Sequence, residues 1–370
     1  QLYEKTRQQL EQLGILRKID AVITSSLSLD EALPVVLRQI QKGLAVDAAA
    51  VFLFDEETEA LQLESWLGFH EKPETDKLIP LGHGNTGMVA ETRKSLSIPE
   101  VTYHSDVSDF PIDWEKEGIA SFFACPMLAK GKLVGVLELF QRNRLDPDED
   151  WVAFAKSLCR QAAITVDNIT LFNNLEKANQ DLRKAYDKTI MGWAKALELR
   201  DQETEGHSER VIGLSLRLAQ EFGYGEEELP HLRRGILLHD IGKMGIPDAI
   251  LRKPGPLTED EWVIMRRHPV FAYNMLKDID YLEPALKIPH YHHERWDGSG
   301  YPEGLEGEEI PLEARIFMVV DICDALTSDR PYRDAWSEEK TIEYLKEQAG
   351  NELDPEVVEV FLEIIQEDRK

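Results

Sequence analysis

Apolar positions near the start of the chain recur at the spacing of an α-helix and then stop at a polar stretch. We predict a helix within residues 1–30 that ends at the polar segment 25–30. Asp30 is interpreted as the N-cap of a second helix over residues 31–42. The apolar residues that define the first helix are Leu10, Leu13, Leu16, Ile19 and Ile23.

Four short segments have the apolar runs or the strict alternation that are typical of strands. Residues 48–55 form an apolar run that predicts a buried strand, and residues 61–66 alternate as its hairpin partner. Residues 121–128 and 133–140 predict a second hairpin, joined by a turn at Gly131. The first part of the chain is therefore predicted to be an α+β domain with an antiparallel sheet and helices.

Residues 150–200 contain few helix-breaking residues, so we predict one long helix there. Within this helix, small and apolar residues recur at spacings that alternate between four and three residues, and they lie beside a polar face. This pattern favours a two-stranded parallel coiled coil that joins two copies of the chain as a homodimer. The alternative is a single amphipathic helix packed on its own domain. From about residue 190 the chain is predicted to be nearly all helical. The seam positions are Leu171, Leu175, Ala178, Leu182, Ala185 and Thr189.

Length, charge and cysteine content limit the class of protein. The 370 residues favour two domains, and the net charge of −27 argues against binding to duplex DNA or an anionic membrane. No apolar run reaches the roughly 18 residues of a membrane span, so we expect no membrane segment in this chain. Because the first residue is Gln1 rather than Met, the sequence leaves open whether a further segment precedes this chain. The widely spaced Cys125, Cys159 and Cys323 predict reduced core residues in a cytoplasmic protein.

Metal-binding chemistry is concentrated in the second half of the chain, where seven of the ten histidines lie. His239 and Asp240 stand side by side at the end of an apolar run. Two buried polar groups are costly there unless a partner such as a metal ion satisfies them. Asp321, in a second apolar run, indicates the same chemistry. Alone, the doublet is also compatible with a hydrogen-bonded core pair. Alone, His207 fits a surface helix position and His268 fits a structural role at a helix entry.

Two stretches in the first half carry a family resemblance. They are residues 82–89, Gly-His-Gly-Asn-Thr-Gly-Met-Val, and residues 131–139, Gly-Lys-Leu-Val-Gly-Val-Leu-Glu-Leu. Together with the order of helices and hairpins they resemble the GAF domain family over about residues 10–175. The resemblance implies a regulatory domain with an unknown small-molecule or protein ligand. The glycine-rich stretch is interpreted as a turn, because it lacks the pattern of a phosphate-binding P-loop.

Two motifs in the second half carry a further resemblance. Residues 239–243, His-Asp-Ile-Gly-Lys, look like the motif of HD metal-dependent phosphohydrolases, and residues 292–302 carry a Gly-Tyr-Pro extension. The stretch from about 190 to 368 resembles the HD-GYP subfamily throughout. This resemblance implies an all-α fold, cyclic di-GMP phosphodiesterase activity and two or three divalent metal ions, iron or manganese. The predicted organisation is a GAF-like domain in 1–160, a coiled-coil linker helix in 161–195 and an HD-GYP domain in 196–370.

The resemblance also implies a set of metal ligands. Asp240 is expected to bridge two metals. Glu203, four residues before His207, is expected to help hold another metal, so three metals are favoured over two. Glu205 competes with it but would point to another helix face, and His290 is interpreted as a helix residue that flanks the ligands. The implied ligands are Glu203, His207, His239, Asp240, His268, His292, His293 and Asp321.

By the same resemblance the chain is expected to hydrolyse cyclic di-GMP to pGpG, with GMP left open as a further product. A hydroxide that bridges the metals is the expected nucleophile. Asp240 and Lys243 are the expected catalytic residues. Lys243 is placed to contact the phosphate or to assist the leaving oxygen, and a plain salt bridge is its alternative role. Arg330 and Arg333 are expected to bind phosphate. Tyr301 is expected to stack on a base or to close its loop.

Two other functions are compatible with the sequence. One is a phosphohydrolase that acts on another nucleotide, because metals do not distinguish bases. The other is a cyclic-dinucleotide receptor with little turnover, which would be expected to have lost metal ligands. Under all three functions the GAF-like domain is expected to regulate the metal site through a shift of the long helix.

Overall fold

Two compact units make up the chain, residues 1–180 and residues 181–370. In this computed structural model the described residues are 2–25, 28–101, 113–201, 206–329 and 334–367. Glu203, Glu205, Arg330 and Arg333, which were singled out from the sequence, lie outside the described residues.

An antiparallel sheet forms the centre of the first unit. Its strands are β1 (Ala48–Asp55), β2 (Ala60–Leu67), β3 (Leu78–Pro80), β4 (Leu96–Ile98), β5 (Ser121–Ala129) and β6 (Lys132–Gln141). They pair in the order β3-β2-β1-β6-β5-β4. Both predicted hairpins are confirmed, β1 with β2 and β5 with β6.

Helices cover the sheet and give it two separate cores. The helices are α1 (Leu2–Ser25), α2 (Leu29–Leu44), α3 (Gly84–Thr92), α4 (Trp114–Glu117) and α5 (Glu149–Asp201), which continues into the second unit. Successive side chains of a strand point to opposite sides. Leu137 and Leu139 on β6 therefore face the core shared by α1, α2 and α5, whereas Val136 and Phe140 face the core that includes α3 and α4. This arrangement confirms the predicted α+β fold.

The start of α2 differs from the prediction. Ser28 is the N-cap, and its side chain accepts a hydrogen bond from the Glu31 amide at 3.4 Å. Asp30 lies in the first turn instead, where a negative charge interacts favourably with the helix dipole. The prediction of Asp30 as the cap is wrong because serine and aspartate cap helices about equally well and stand here two positions apart.

Two expectations from composition can be compared with the structure. Cys125, Cys159 and Cys323 are free and buried, which confirms their prediction as core residues. Among the described residues, no helix combines the length and the apolar character that a membrane crossing requires.

A buried carboxyl group lies in the centre of the sheet. Glu138 on β6 is fully buried between Ala50 and Ala124 of the neighbouring strands. Its Oε1 accepts a hydrogen bond of 2.6 Å from the Thr86 hydroxyl, and no described residue supplies a partner for Oε2. Burial raises the pKa of Glu138 to about 8, and the Thr86 hydrogen bond opposes only part of that shift. The group is therefore mostly protonated at neutral pH.

This carboxyl group should make the first unit less stable at higher pH. The unfolded chain releases the Glu138 proton near pH 4.5 and the folded chain near pH 8. Between these values the folded state holds one proton more, so its free energy of unfolding falls as the pH rises, by up to about 1.4 kcal/mol per pH unit. Glu138→Gln cannot titrate and is expected to remove that slope. This pH dependence of the free energy of unfolding is measured by urea unfolding at mildly acidic and mildly alkaline pH. Amide hydrogen exchange of β5 and β6 monitors the unfolding. The same slope in both proteins would contradict the prediction, and the exposed Glu91→Gln is the control.

The long helix α5 confirms the predicted helix over residues 150–200. Its residues between 154 and 169 contribute to the core of the first unit, and Ile190 contributes to a core of the second. Residues 170–185 between them are all exposed. Leu171, Leu175 and Leu182 of the predicted seam are 50%, 69% and 53% exposed. This exposure does not support the alternative in which the segment packs on its own domain.

The second unit is helical. After the end of α5 its helices are α6 (His207–Glu221), α7 (Leu229–Leu237), α8 (Asp248–Leu251), α9 (Glu259–Met265), α10 (His268–Leu276), α11 (Lys287–Tyr291), α12 (Leu312–Thr327), α13 (Glu338–Gln348) and α14 (Pro355–Glu367). Short 3₁₀ helices cover Ile241–Gly245, Asp280–Ala285 and Gly307–Glu309. The described part of this unit has only isolated β-bridges and no strand, which confirms the all-α prediction. The largest core surrounds α12, where Phe317 is fully buried.

Candidate metal centre

The His-Asp doublet lies in the turn directly after α7. His239 Nδ1 is 2.7 Å from the carbonyl oxygen of Ile236. Because a carbonyl oxygen can only accept, Nδ1 carries the ring proton and Nε2 presents a lone pair. Nε2 lies 3.0 Å from Asp240 Oδ2, and both residues are buried. The end of α7 thus fixes the tautomer of one candidate ligand and aims it at the carboxylate.

His268 and His292 repeat this arrangement from two other elements. His268 at the start of α10 has Nδ1 2.9 Å from the Met265 carbonyl oxygen, and His292 after α11 has Nδ1 3.0 Å from that of Ile288. Their Nε2 atoms lie 3.3 and 3.8 Å from Asp240 Oδ1. Three histidines are therefore oriented by backbone carbonyls so that their Nε2 lone pairs converge on Asp240.

The convergence leaves two lone pairs in close contact. The Nε2 atoms of His268 and His292 are 3.2 Å apart, while both Nδ1 protons point to carbonyl oxygens. Burial lowers the pKa of His292 to about 4, so its ring is neutral at pH 7. Two buried lone pairs at this distance repel unless they share a proton or bind a metal cation. These residues therefore fit a bound metal ion, and their nitrogen and oxygen donors suit first-row divalent metals.

His293 completes a compact group of donors. One ligand atom from each of Asp240, His268, His292 and His293 lies within 4.8 Å of the others. Burial, followed by the neighbouring His292 and His268, holds the pKa of His293 well below its usual range. A neutral imidazole is the form that binds a metal.

A second side of the centre is formed by α6 and α12. His207, the first residue of α6, has Nε2 3.5 Å from Asp321 Oδ1, and its ring centroid is 6.0 Å from that of His239. Its Nδ1 lies 2.8 Å from Asp324 Oδ2, and Arg210 Nε donates to Asp324 Oδ1 at 2.6 Å. Burial alone would raise the pKa of Asp324, but the hydrogen bonds from His207 and Arg210 bring it below its usual value. Because the Asp324 carboxylate accepts the proton on Nδ1 of His207, Nε2 of His207 carries the lone pair that can bind a metal.

Lys243 lies between two carboxylates. Its Nζ is 2.6 Å from Asp240 Oδ2 and 2.5 Å from Asp201 Oδ2. Burial favours the neutral form of Asp240, but the nearby Lys243 ammonium opposes it most strongly, and the pKa of Asp240 lies well below its usual range. The salt bridge that was the alternative role of Lys243 is thus present, at the edge of the candidate centre.

The distance between the doublet and α10 depends on a glycine. A Cβ atom at Gly242 would lie 1.9 Å from the carbonyl oxygen of His268 and 2.6 Å from the amide nitrogen of Ala272. Such contacts are impossible, so only glycine allows the turn to approach α10 this closely. Gly242, three residues after His239 in the sequence motif, thereby sets how near His268 comes to Asp240.

The Gly-Tyr-Pro loop packs on the centre through Tyr301. The Tyr301 ring stacks on His293, with centroids 4.7 Å apart, and the Arg266 guanidinium carbon is 5.7 Å from the centroid of the same ring. Burial and then Asp240 raise the pKa of Tyr301 to about 12. The loop is held by Glu294, a fully buried carboxylate whose oxygens accept backbone hydrogen bonds from residues 303–305.

The structure places seven of the eight predicted ligands around one centre, and the eighth, Glu203, lies outside the described residues. The seven are His207, His239, Asp240, His268, His292, His293 and Asp321. His290 stays apart from them and stacks on Tyr273 at 4.5 Å, which agrees with its interpretation as a flanking helix residue. The sequence prediction missed four supporting residues, which are Arg200, Asp201, Arg210 and Glu294. Of these only Glu294 had a local signal, since it directly follows two ligand histidines.

Comparison with known proteins agrees with this architecture. Residues 28–166 match the family model described as GAF domain, and residues 193–357 match the model described as HD domain. The chain therefore contains a GAF domain followed by an HD domain.

Curated relatives share about half of this chain. This chain is 41% identical over 196 residues to the cyclic di-GMP phosphodiesterase response regulator RpfG of Xanthomonas campestris, and the aligned region covers 52% of each chain. It is 38% identical over 202 residues to 3'3'-cGAMP-specific phosphodiesterase 2 of Vibrio cholerae, covering 54% of this chain and 37% of the relative. It is 40% identical over 199 residues to a cyclic di-GMP phosphodiesterase of Thermotoga maritima, covering 52% and 54%. The chain thus spans about half the length or less of these relatives.

Proposed function

We propose that the chain is a metal-dependent phosphodiesterase that hydrolyses cyclic di-GMP to pGpG, and further hydrolysis to GMP is left open. The observation that carries this proposal is the convergence of three carbonyl-oriented imidazoles on one carboxylate, with two Nε2 atoms 3.2 Å apart. Relatives named cyclic di-GMP phosphodiesterases, at 40% and 41% identity, support the substrate.

The roles of the residues follow from their positions. The seven described ligands would hold two or three divalent metals, iron or manganese, with Asp240 shared between two of them. When bound, the metals supply the positive charge that activates water and neutralises the phosphate. Lys243 Nζ, at the edge of the centre, would bind a phosphate oxygen or donate a proton to the leaving oxygen. Tyr301, with one face on His293, would close the site on the side of its loop.

A second substrate has support from a specific observation. One relative, 38% identical, is named a 3'3'-cGAMP-specific phosphodiesterase. Turnover of cyclic di-GMP and 3'3'-cGAMP by the full chain, loaded with iron or with manganese, decides between them. We expect metal-dependent hydrolysis with a preference for cyclic di-GMP. A preference for 3'3'-cGAMP would make that dinucleotide the proposed substrate in place of cyclic di-GMP. The absence of turnover with either metal, with dinucleotide binding retained, would favour the receptor hypothesis.

The number of metals provides a separate prediction. Protein purified without oxygen is expected to contain about three metals per chain, and Glu203→Ala is expected to contain about two. The reason is that Glu203 stands four residues before His207, a position at which the resemblance to the HD-GYP subfamily implies a ligand to a third metal. Elemental analysis measures the change, with Glu209→Ala, an exposed glutamate on α6, as the control. Two metals in both the parent and Glu203→Ala would assign a dinuclear centre.

The remaining parts of the chain have proposed regulatory and assembly roles. We infer that the exposed seam of α5 joins two chains as a parallel homodimer, and a solution mass of one chain at micromolar concentration would contradict this. A ligand or partner of the GAF domain is proposed to regulate the HD domain through α5. Activity that is unchanged after deletion of residues 1–160, with the dimer retained, would contradict that role. The reduced cysteines favour a cytoplasmic location.

A further inference from the structure

The C-terminal turns of α5 contact residues on both sides of the His-Asp doublet. Arg234 on α7 is buried, and its Nε donates to Asp187 of α5 at 2.7 Å. Ile190 of α5 lies in one apolar cluster with Leu238 and Ile241, the residues that immediately flank the doublet. The helix therefore packs along the turn that carries the candidate ligands.

Arg200, next to the last residue of α5, binds the backbone that follows the doublet. Its Nη1 donates to the carbonyl oxygens of Lys243 and Met244 at 3.2 and 3.0 Å, and its Nη2 donates to that of Ile246 at 2.8 Å. Nε and Nη2 also contact Asp248 Oδ1, at 3.0 and 2.8 Å. One planar guanidinium thus holds three carbonyl groups at the end of the 3₁₀ helix. A lysine has a single nitrogen and cannot reproduce this geometry.

Asp201, the last residue of α5, holds the Lys243 side chain. Among the described residues, Lys243 Nζ contacts the carboxylates of Asp240 at 2.6 Å and Asp201 at 2.5 Å. Asp240 is the proposed bridging ligand, so bound metals would engage its oxygens. Asp201 belongs to no ligand group in the described part of the chain and is free to remain the partner of Lys243.

We propose that Arg200 and Asp201 are positioning residues for the HD centre. Arg200 fixes the backbone of residues 243–246, and Asp201 fixes the Lys243 ammonium beside Asp240. Neither residue contacts the substrate or a metal in this proposal. The effect on turnover rests on the proposed phosphodiesterase activity, whereas the effect on the turn does not depend on it. The C-terminal end of α5 thereby positions a part of the proposed catalytic centre.

The test compares Arg200→Ala, Arg200→Lys and Asp201→Asn with the parent, all as full chains. One control is Lys195→Ala, an exposed position on the same helix. The other is Asp248→Ala, which removes only the carboxylate that Arg200 contacts at the surface. The measurements are kcat and KM with cyclic di-GMP, metal content, and hydrogen exchange of the amides of residues 241–246.

Each variant has a distinct expected result. Both Arg200 variants are expected to lower kcat about 10- to 100-fold, with unchanged metal content and faster exchange of residues 241–246. Asp201→Asn is expected to lower kcat to a similar extent without faster exchange, because it acts on the side chain of Lys243 and not on the backbone. KM is expected to change less than kcat in all three, and the two controls are expected to behave like the parent.

Several results would overturn the inference. One such result is a kcat and a hydrogen exchange rate equal to those of the parent in both Arg200 variants. Another is the same equality in Arg200→Lys alone, which would mean that Arg200 contributes only its charge. A loss of metal in proportion to activity would show that these residues support the ligands and do not position Lys243. If the parent itself lacks turnover, the proposed function fails, and the hydrogen exchange of residues 241–246 still decides whether Arg200 holds the turn.

Discussion

Asp240→Asn is expected to lower the kcat for cyclic di-GMP by more than about 100-fold and to reduce the bound metal. The Asp240 carboxylate is approached on Oδ2 by His239 at 3.0 Å and on Oδ1 by His268 at 3.3 Å. Asparagine has nearly the same shape but lacks the negative charge, and its NH₂ group replaces one of the two oxygens. It would therefore present hydrogens where a metal needs a donor oxygen. Lys243 would also lose the carboxylate oxygen that lies 2.6 Å from its Nζ.

Metal content and turnover, measured on the same preparations, check this expectation. The matched control is Asp278→Asn, which makes the same chemical change at an exposed position of the HD domain. The control is expected to keep the metal and the kcat of the parent. A fully metal-loaded and active Asp240→Asn protein would show that Asp240 is not a ligand and would remove the basis of the proposed centre.

Glu294→Ala is expected to destabilise the HD domain by about 2 kcal/mol and to loosen the loop that carries Tyr301. Glu294 Oε1 accepts hydrogen bonds from the amides of Glu303 and Gly304 at 2.7 and 3.2 Å, and Oε2 accepts one from Leu305 at 3.1 Å. Alanine removes both acceptor oxygens, and with them all three hydrogen bonds, from a fully buried position. Since Tyr301 lies in the same loop and stacks on His293, the KM for the dinucleotide is expected to rise as well.

Glu294→Gln separates the hydrogen bonds from the side-chain volume. Its carbonyl oxygen keeps the two bonds made by Oε1, while its NH₂ group faces the Leu305 amide, donor against donor. Its stability is therefore expected to lie between those of the parent and Glu294→Ala. Urea unfolding and hydrogen exchange of residues 303–305 measure the order, with Glu308→Ala, an exposed glutamate of the neighbouring 3₁₀ helix, as the control. Equal stability of all three proteins would contradict the role of Glu294.

The candidate ligands could be predicted because their chemistry is visible residue by residue. His239 and Asp240 in an apolar run, and Asp321 in another, are unusual enough in sequence to indicate a shared partner. The orientation of the rings could not be predicted in the same way. The carbonyl oxygens that fix His239, His268 and His292 belong to apolar residues whose side chains carry no sign of this role.

The supporting residues were missed for a related reason. Arg200 and Asp201 contact partners 42 to 48 residues away, so neither composition nor helical periodicity brings them together. Both stand near the end of a long helix, where a charged pair is ordinarily explained by exposure to solvent. Glu294 could have been found, since a third polar residue after two ligand histidines is difficult to bury without a structural task.

Prediction of the fold succeeded for elements and was weaker at their ends. Both hairpins and the long helix follow from periodicity over many residues, which a single substitution does not disturb. The N-cap of α2 depends on one hydrogen bond, and Ser28 and Asp30 were equally good candidates by residue type. Helix α3 likewise begins at Gly84, inside the glycine-rich stretch that was interpreted only as a turn, because glycine-rich sequence gives no helical periodicity.

The exposed part of α5 has a consequence for local stability. Residues 170–185 have no side chain buried in either core, so their helical hydrogen bonds depend on propagation from the packed turns at both ends. Unwinding such a segment disrupts neither core and therefore requires much less free energy than unfolding either domain. This applies to a single chain: limited proteolysis is expected to cleave a monomer within residues 170–185, whereas pairing of two seams in the proposed homodimer would protect this segment.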